Sequence, residues 1–131
     1  MSFQNSASSM QMLSARSIAA EKAYVGCLIT AGTLLERADI RVNPQELYTP
    51  ELSIILQAIV ELHEEGVQAD IVTLAQKLSD KWQFYPKLPN IDNNYLCDLM
   101  TWEFMYMNLR KYESIVKENA LKIATQRVVD K

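Results

Sequence analysis

The chain has 131 residues, 49% of them hydrophobic and 22% charged, with a net charge of −3. That length suits one domain with a buried core, and the weak acidity argues against a protein whose main task is gripping nucleic acid, which needs clustered Lys and Arg. With three glycines and four prolines, helices are favoured over a turn-rich sandwich.

Cys27 and Cys97 lie far apart, with no CxxC and no histidine cluster, and read as buried free thiols in a reducing compartment. Residues 1–17 lack the continuous apolar core of a signal peptide. No apolar run approaches the ~18 residues of a spanning helix. A soluble, cytoplasmic protein with no membrane partner is the expectation.

Residues 2–17 are polar and serine-rich and read as a flexible arm, with Met10 and Leu13 as its apolar points. A helix is expected from about Ser17 to Ile29, carrying Ile18, Val25, Leu28 and Ile29, with Glu21 near its start. Gly26 sits inside it. A mid-helix glycine costs about 0.5–1 kcal/mol against alanine, so a steric reason is sought in close approach of another helix. Thr30–Thr33 reads as a turn, after which Thr33 caps a short helix with Leu34, Leu35 and Ala38. Residues 41–43 form an extended link, since the residue before proline avoids the helical region. Pro44–Tyr48 is one helical turn that turns Leu47 and Tyr48 to the core.

The stretch Thr49–Leu78 is the most legible. Thr49 is placed as an N-cap whose hydroxyl takes an orphan amide, and Pro50 suits the first helical position. Leu52, Ile55, Leu56, Ile59 and Leu62 recur at helical spacing. Gly66 ends the run, being free to enter the left-handed region. Asp70 caps a second helix and its charge suits the positive end of the dipole. Ile71, Leu74, Ala75 and Leu78 follow at helical spacing. The short connection folds the second helix back on the first.

Residues 79–92 hold two prolines and three aromatics, and read as a surface connection packed through Trp82 or Phe84. Asn93 to about Met100 is a short helix carrying Tyr95, Leu96 and Leu99, with a break or bend near Thr101–Met105. The last helix is expected from about Met107 to Val129, roughly 35 Å at 1.5 Å per residue. Leu109, Tyr112, Val116, Ala120 and Ile123 form its apolar stripe, and Glu113–Lys117 and Glu118–Lys122 are i,i+4 pairs in the favourable order. A helix that overshoots its own core needs another surface, so the stripe is the candidate protein interface.

Chemistry is sparse. GxxxxGK[ST] and GxGxxG are both absent. The one histidine, His63, stands among glutamates with no HExxH and reads as an ordinary helix residue. No Ser–His–Asp or Cys–His arrangement is marked. Tyr95, Trp102, Tyr106 and Tyr112 are read as packing residues rather than a base-stacking platform, because basic residues are not interleaved among them. Met100, Met105 and Met107 cluster before the long helix, with ordinary packing as the default and a partner surface as the alternative. No catalytic, cofactor-binding or metal-binding residue is assigned. The residues alone give a mostly helical, non-catalytic domain with an overlong last helix.

The order of motifs adds a resemblance. Ala20-Glu21, Val25-Gly26 and Leu28-Ile29 come first, then Pro44-Gln-Glu-Leu-Tyr48, Ile55-Leu56-Gln-Ala58-Ile59, and Leu62 with Gly66. Asp70-Ile-Val-Thr-Leu74 with Leu78 follows, then Tyr95-Leu96 with Leu99, and last Asn108-Leu-Arg-Lys-Tyr112-Glu-Ser-Ile-Val116. This series, from about Ile18 to Ala120, resembles the N-terminal domain of the DnaB-type replicative DNA helicases of bacteria. The resemblance implies an all-α fold: a small orthogonal helical head over residues 18–104, after the arm 1–17, then a long helix over 105–131 that is one arm of an incomplete helical hairpin. It makes Gly26, Tyr48, Ile55, Leu56, Gly66, Asp70 and Leu74 structural positions.

The same resemblance implies function. Such domains form a collar on a six-membered ring, pairing with copies of themselves and receiving the helicase-binding domain of primase and helicase loaders. ATP hydrolysis and DNA contact belong to a separate C-terminal motor domain. The chain departs from the family pattern at Leu52, Ser53 and Leu56, and at Ile123 and Ala124, where basic residues are common. It also carries only the first arm helix. A stand-alone regulator that mimics this domain is the alternative reading.

Overall fold

The computed structural model describes residues 2–30, 40–84, 91–101 and 106–129. Among these residues five α-helices form: α1 (Ser2–Thr30), α2 (Pro50–Glu64), α3 (Ile71–Phe84), α4 (Asn93–Thr101) and α5 (Leu109–Val129), with 3₁₀ turns at Pro44–Glu46 and Tyr106–Asn108. No strand occurs among the described residues. The short helix expected at Thr33, and residues 102–105 of the expected bend, lie outside them.

Helix α1 includes the stretch read from sequence as a flexible arm. Residues 2–25 contain no glycine or proline, so nothing local stops a helix once its C-terminal half has packed, and each added residue then gains a hydrogen bond. The packed part still begins near Ser17: Gln11, Met12, Ala15 and Arg16 are exposed, whereas Ser17, Ala20 and Glu21 are buried. From Ala23 to Ile29 every residue is buried, Gly26 among them, because α1 is covered by α5, α4 and α2 together.

Helix α2 buries Leu52, Ile55, Leu56, Ala58, Ile59 and Leu62. Its end is a Schellman motif: Gly66 has φ of 77°, the Val67 amide donates to Leu62 O at 2.8 Å and the Gly66 amide to His63 O at 3.0 Å. Asp70 Oδ1 accepts the Thr73 amide at 2.8 Å while Thr73 Oγ1 accepts the Asp70 amide at 2.9 Å, so two orphan donors are satisfied reciprocally. Helix α3 continues to Phe84, beyond the expected end at Leu78. The first breaker after Asp70 is Pro86, and Lys77 and Lys81 reach back to α2, at 3.0 Å to Glu65 and 2.7 Å to Glu61. Asp92 caps α4 by accepting the Tyr95 amide at 2.9 Å. The core joins Tyr24, Val25 and Leu28 of α1 to Leu52, Ile55, Leu56 and Ile59 of α2, Leu74 of α3, Leu96 of α4 and Val116 of α5.

Candidate protein interface

The apolar stripe of α5 divides into two sets. Leu109, Val116 and Ile123 are 6%, 1% and 4% exposed, taken up by the domain's own packing, chiefly against α1. Tyr112 and Ala120 are half-buried. Leu121, outside the stripe, is 69% exposed. Sequence periodicity finds the stripe but cannot tell whether α1 or another molecule covers it.

Of the two expected ion pairs on this helix, Glu118–Lys122 forms, at 3.3 Å. Glu113 instead pairs with Arg110 at 3.1 Å, being itself buried. Lys117 turns to Glu46 of the first 3₁₀ turn, again at 3.1 Å. That bridge stands beside an open groove of about 350 Å³ between the turn and α5, lined by Leu47, Tyr48, Ala120, Leu121 and Ile123 among others. The Pro44–Glu46 turn is fixed from both sides. Glu46 Oε1 accepts the Asn43 amide at 2.8 Å and Asn43 Oδ1 accepts the Gln45 amide at 3.1 Å, and Ser53 Oγ donates to Pro44 O at 2.8 Å. The wall of the groove is therefore preformed.

Behind that wall lies Glu21, which the sequence reading marks only as a motif position near the start of a helix. Its carboxylate is 1% exposed and accepts the amides of Tyr48 at 2.6 Å and Thr49 at 3.0 Å. Burial raises its pKa above the usual glutamate value, against the opposing pull of those two amides. Thr49 holds the N-cap backbone position but makes no side-chain cap bond. Its buried hydroxyl lies beside the Glu21 carboxylate without good hydrogen-bond geometry. The expected Thr49 cap is thus replaced by a carboxylate from another helix, which also complements the positive end of the α2 dipole. The signal was present: an acidic residue on the apolar face shared by Val25 and Leu28.

Other positions of the motif series are packing residues. Ile55, Leu56 and Leu74 are fully buried, and Tyr48 is half-buried. Burial pushes the Cys27 thiol up to about 11, which leaves it protonated and inert at neutral pH. His63 is half-buried near the end of α2. A second open cleft of about 330 Å³ is lined by Lys22, Tyr95, Asp98, Leu99 and Thr101. Among the described residues no group of His, Cys, Asp or Glu is arranged to hold a metal ion, and no helix is long and apolar enough to cross a membrane. Among the described residues, the surface features are these two clefts and the exposed Leu121 on α5.

Comparison with known proteins agrees with this geometry. A family model described as the DnaB-like helicase N terminal domain matches residues 14–118. The crystal structure of the N-terminal domain of DnaB helicase from Mycobacterium tuberculosis superposes with a TM-score of 0.70 at 30% sequence identity, covering 86% of this chain and 83% of that one. A search of curated proteins finds no match. The chain belongs to the family of DnaB-like helicase N-terminal domains, the non-catalytic part of a helicase.

Proposed function

We propose that this domain acts by association: it joins copies of itself into the collar of a hexameric replicative helicase and docks primase or a loader during DNA replication in the cytoplasm. The observation that carries the reading is the family match over residues 14–118. On this reading residues 18–104 are the head and 105–131 the first arm of a hairpin. Tyr112 and Ala120, half-buried, with Leu121 at the rim of the groove, are the parts of α5 still open to a partner. ATP hydrolysis and strand separation then belong to a motor domain of the parent helicase, since no phosphate-binding loop stands in this sequence.

Two measurements test the reading. Sedimentation of the chain should show concentration-dependent self-association that Leu121→Glu weakens. Calorimetry with the C-terminal helicase-binding domain of the cognate primase should show binding that the same substitution weakens. A strictly monomeric chain that gives no heat with primase at high micromolar concentration refutes it.

A further inference from the structure

Helix α1 packs on α5 more extensively than any other two helices pack, and two tethers give the register of the pair. At one level, burial and the nearby Glu113 carboxylate raise the pKa of the Tyr24 hydroxyl while Arg110 opposes them, so Tyr24 of α1 stands beside the start of α5. At the next, Glu21 of α1 takes the Tyr48 amide at 2.6 Å, and Lys117 of α5 holds Glu46, just before Tyr48, at 3.1 Å. Moving back along α1 therefore moves forward along α5: the helices run antiparallel. Continued at equal rise per residue, the register sets Ile123 beside Leu13–Ser17 and the end of α5 beside residues 8–12.

Burial agrees with that extension. Leu13 is half-buried, although Gln11, Met12, Ala15 and Arg16 around it are exposed. Ile123 is 4% exposed, although Leu121, Lys122, Ala124 and Thr125 around it are exposed. Each is the covered residue of an otherwise open turn. Spacing joins both to the seam: Leu13, Ala20 and Cys27 stand seven apart on α1, as do Leu109, Val116 and Ile123 on α5, the repeat that keeps two long helices in contact. The first half of α1 also needs such support. Five of residues 2–16 are serine, which competes for its own backbone in other conformations, and a helix of that composition is marginal in water unless a face of it is packed.

We propose that residues 8–16 are an interaction segment whose partner is the outer half of α5 in the same chain, the two forming an antiparallel two-helix arm with Leu13 and Ile123 in its seam. A molecule that approaches the arm then meets two helices, with exposed Met12 of one and exposed Leu121 of the other. The pairing is internal to the chain and stands whether or not the domain binds primase or forms a ring.

Hydrogen exchange and cross-linking of the full chain test it. In wild type, amides 8–16 should exchange at least about tenfold more slowly than an unstructured chain. Leu13→Asp should speed exchange of amides 122–128 by about tenfold and leave amides 52–62 unchanged. Met12→Asp, as unfavourable to the helix but on the exposed side, should leave α5 unchanged. With Cys97→Ser, the pair Leu13→Cys and Ile123→Cys should close a disulfide within one chain, since facing positions of packed helices meet the distance a disulfide needs. The exposed pair Met12→Cys and Leu121→Cys should close at least about tenfold more slowly. The proposal is overturned if amides 8–16 exchange at unstructured rates, if Leu13→Asp and Met12→Asp affect α5 equally, or if the disulfide joins two chains. The wild-type exchange decides the matter even where a cysteine variant fails to fold.

Discussion

Glu21 Oε2 accepts the amide of Tyr48 at 2.6 Å, across 27 positions of sequence. Its other oxygen takes the Thr49 amide at 3.0 Å, so one buried side chain of α1 fixes both the start of α2 and the Pro44–Glu46 turn that walls the groove. Hydrogen bonds to charged groups contribute about 1.5–3 kcal/mol each, and an abandoned buried donor adds its desolvation cost. Glu21→Ala should therefore lower stability in urea denaturation by about 3 kcal/mol or more, whereas Glu21→Gln keeps one acceptor and loses less. Thr49→Ala should cost well under the ~1 kcal/mol of an ordinary lost cap, because that hydroxyl makes no bond to α2.

The same carboxylate gives a signed pH dependence. Burial raises the Glu21 pKa in the folded state, so between the unfolded value near 4.5 and the raised one the folded chain binds more protons. Stability from this group therefore rises as pH falls through that window and levels off below it. Asp70 is the reverse. The Thr73 amide lowers its pKa below 3.8, so its contribution is full above that value and is lost as pH falls through the lowered one. Glu61 behaves like Asp70: burial raises it, but hydrogen bonds from Lys81 and Gln57 with nearby Lys77 outweigh that and leave it below 4.5. Unfolding curves from pH 7 to pH 3 should show wild type gaining on Glu21→Gln as pH falls towards 4.5. A constant difference between the two would refute the assignment.

Asp70→Ala removes the acceptor for the Thr73 amide and should cost about 1 kcal/mol, read as a lower urea midpoint at unchanged slope. Because Thr73 Oγ1 also accepts the Asp70 amide, the effects of Asp70→Ala and Thr73→Val should be less than additive, both removing one reciprocal cap.

Gly66 tests the backbone alone. Its φ is 77°, and a Cβ added there would meet nothing within 4 Å. Any loss in Gly66→Ala thus comes from left-handed strain, about 1–2 kcal/mol, and Gly66→Asn should recover part of it because asparagine tolerates that region better. Equal stability of the alanine variant and wild type would mean that α2 ends differently in solution.

The α2–α3 pair was legible because each local signal agrees with the next: Pro50 at the start, a regular stripe, Gly66 with positive φ, Asp70 with its cap. Glu21 was half legible. Its place on an apolar face was visible, but its partners lie 27 and 28 residues away, and no spacing rule predicts a cap supplied by another helix. The stripe on α5 was found by period, yet period does not reveal that α1 covers Leu109, Val116 and Ile123. Lys117 illustrates the same limit. Its i−4 neighbour Glu113 was the expected partner, but burial turned that carboxylate inward and left Lys117 to Glu46, 71 residues away.

The two thiols should differ sharply in reactivity. Cys27 is buried on α1, as expected of both, whereas Cys97 is exposed on α4. Only the thiolate is nucleophilic, and burial pushes the Cys27 pKa up to about 11, so at pH 7–8 it is both shielded and protonated. A thiol-exchange reagent should label one cysteine per chain promptly, and Cys97→Ser should abolish that fast phase. Labelling of Cys27 should then track unfolding, rising across the urea transition. Prompt labelling of Cys27 in native buffer would show that α1 itself opens.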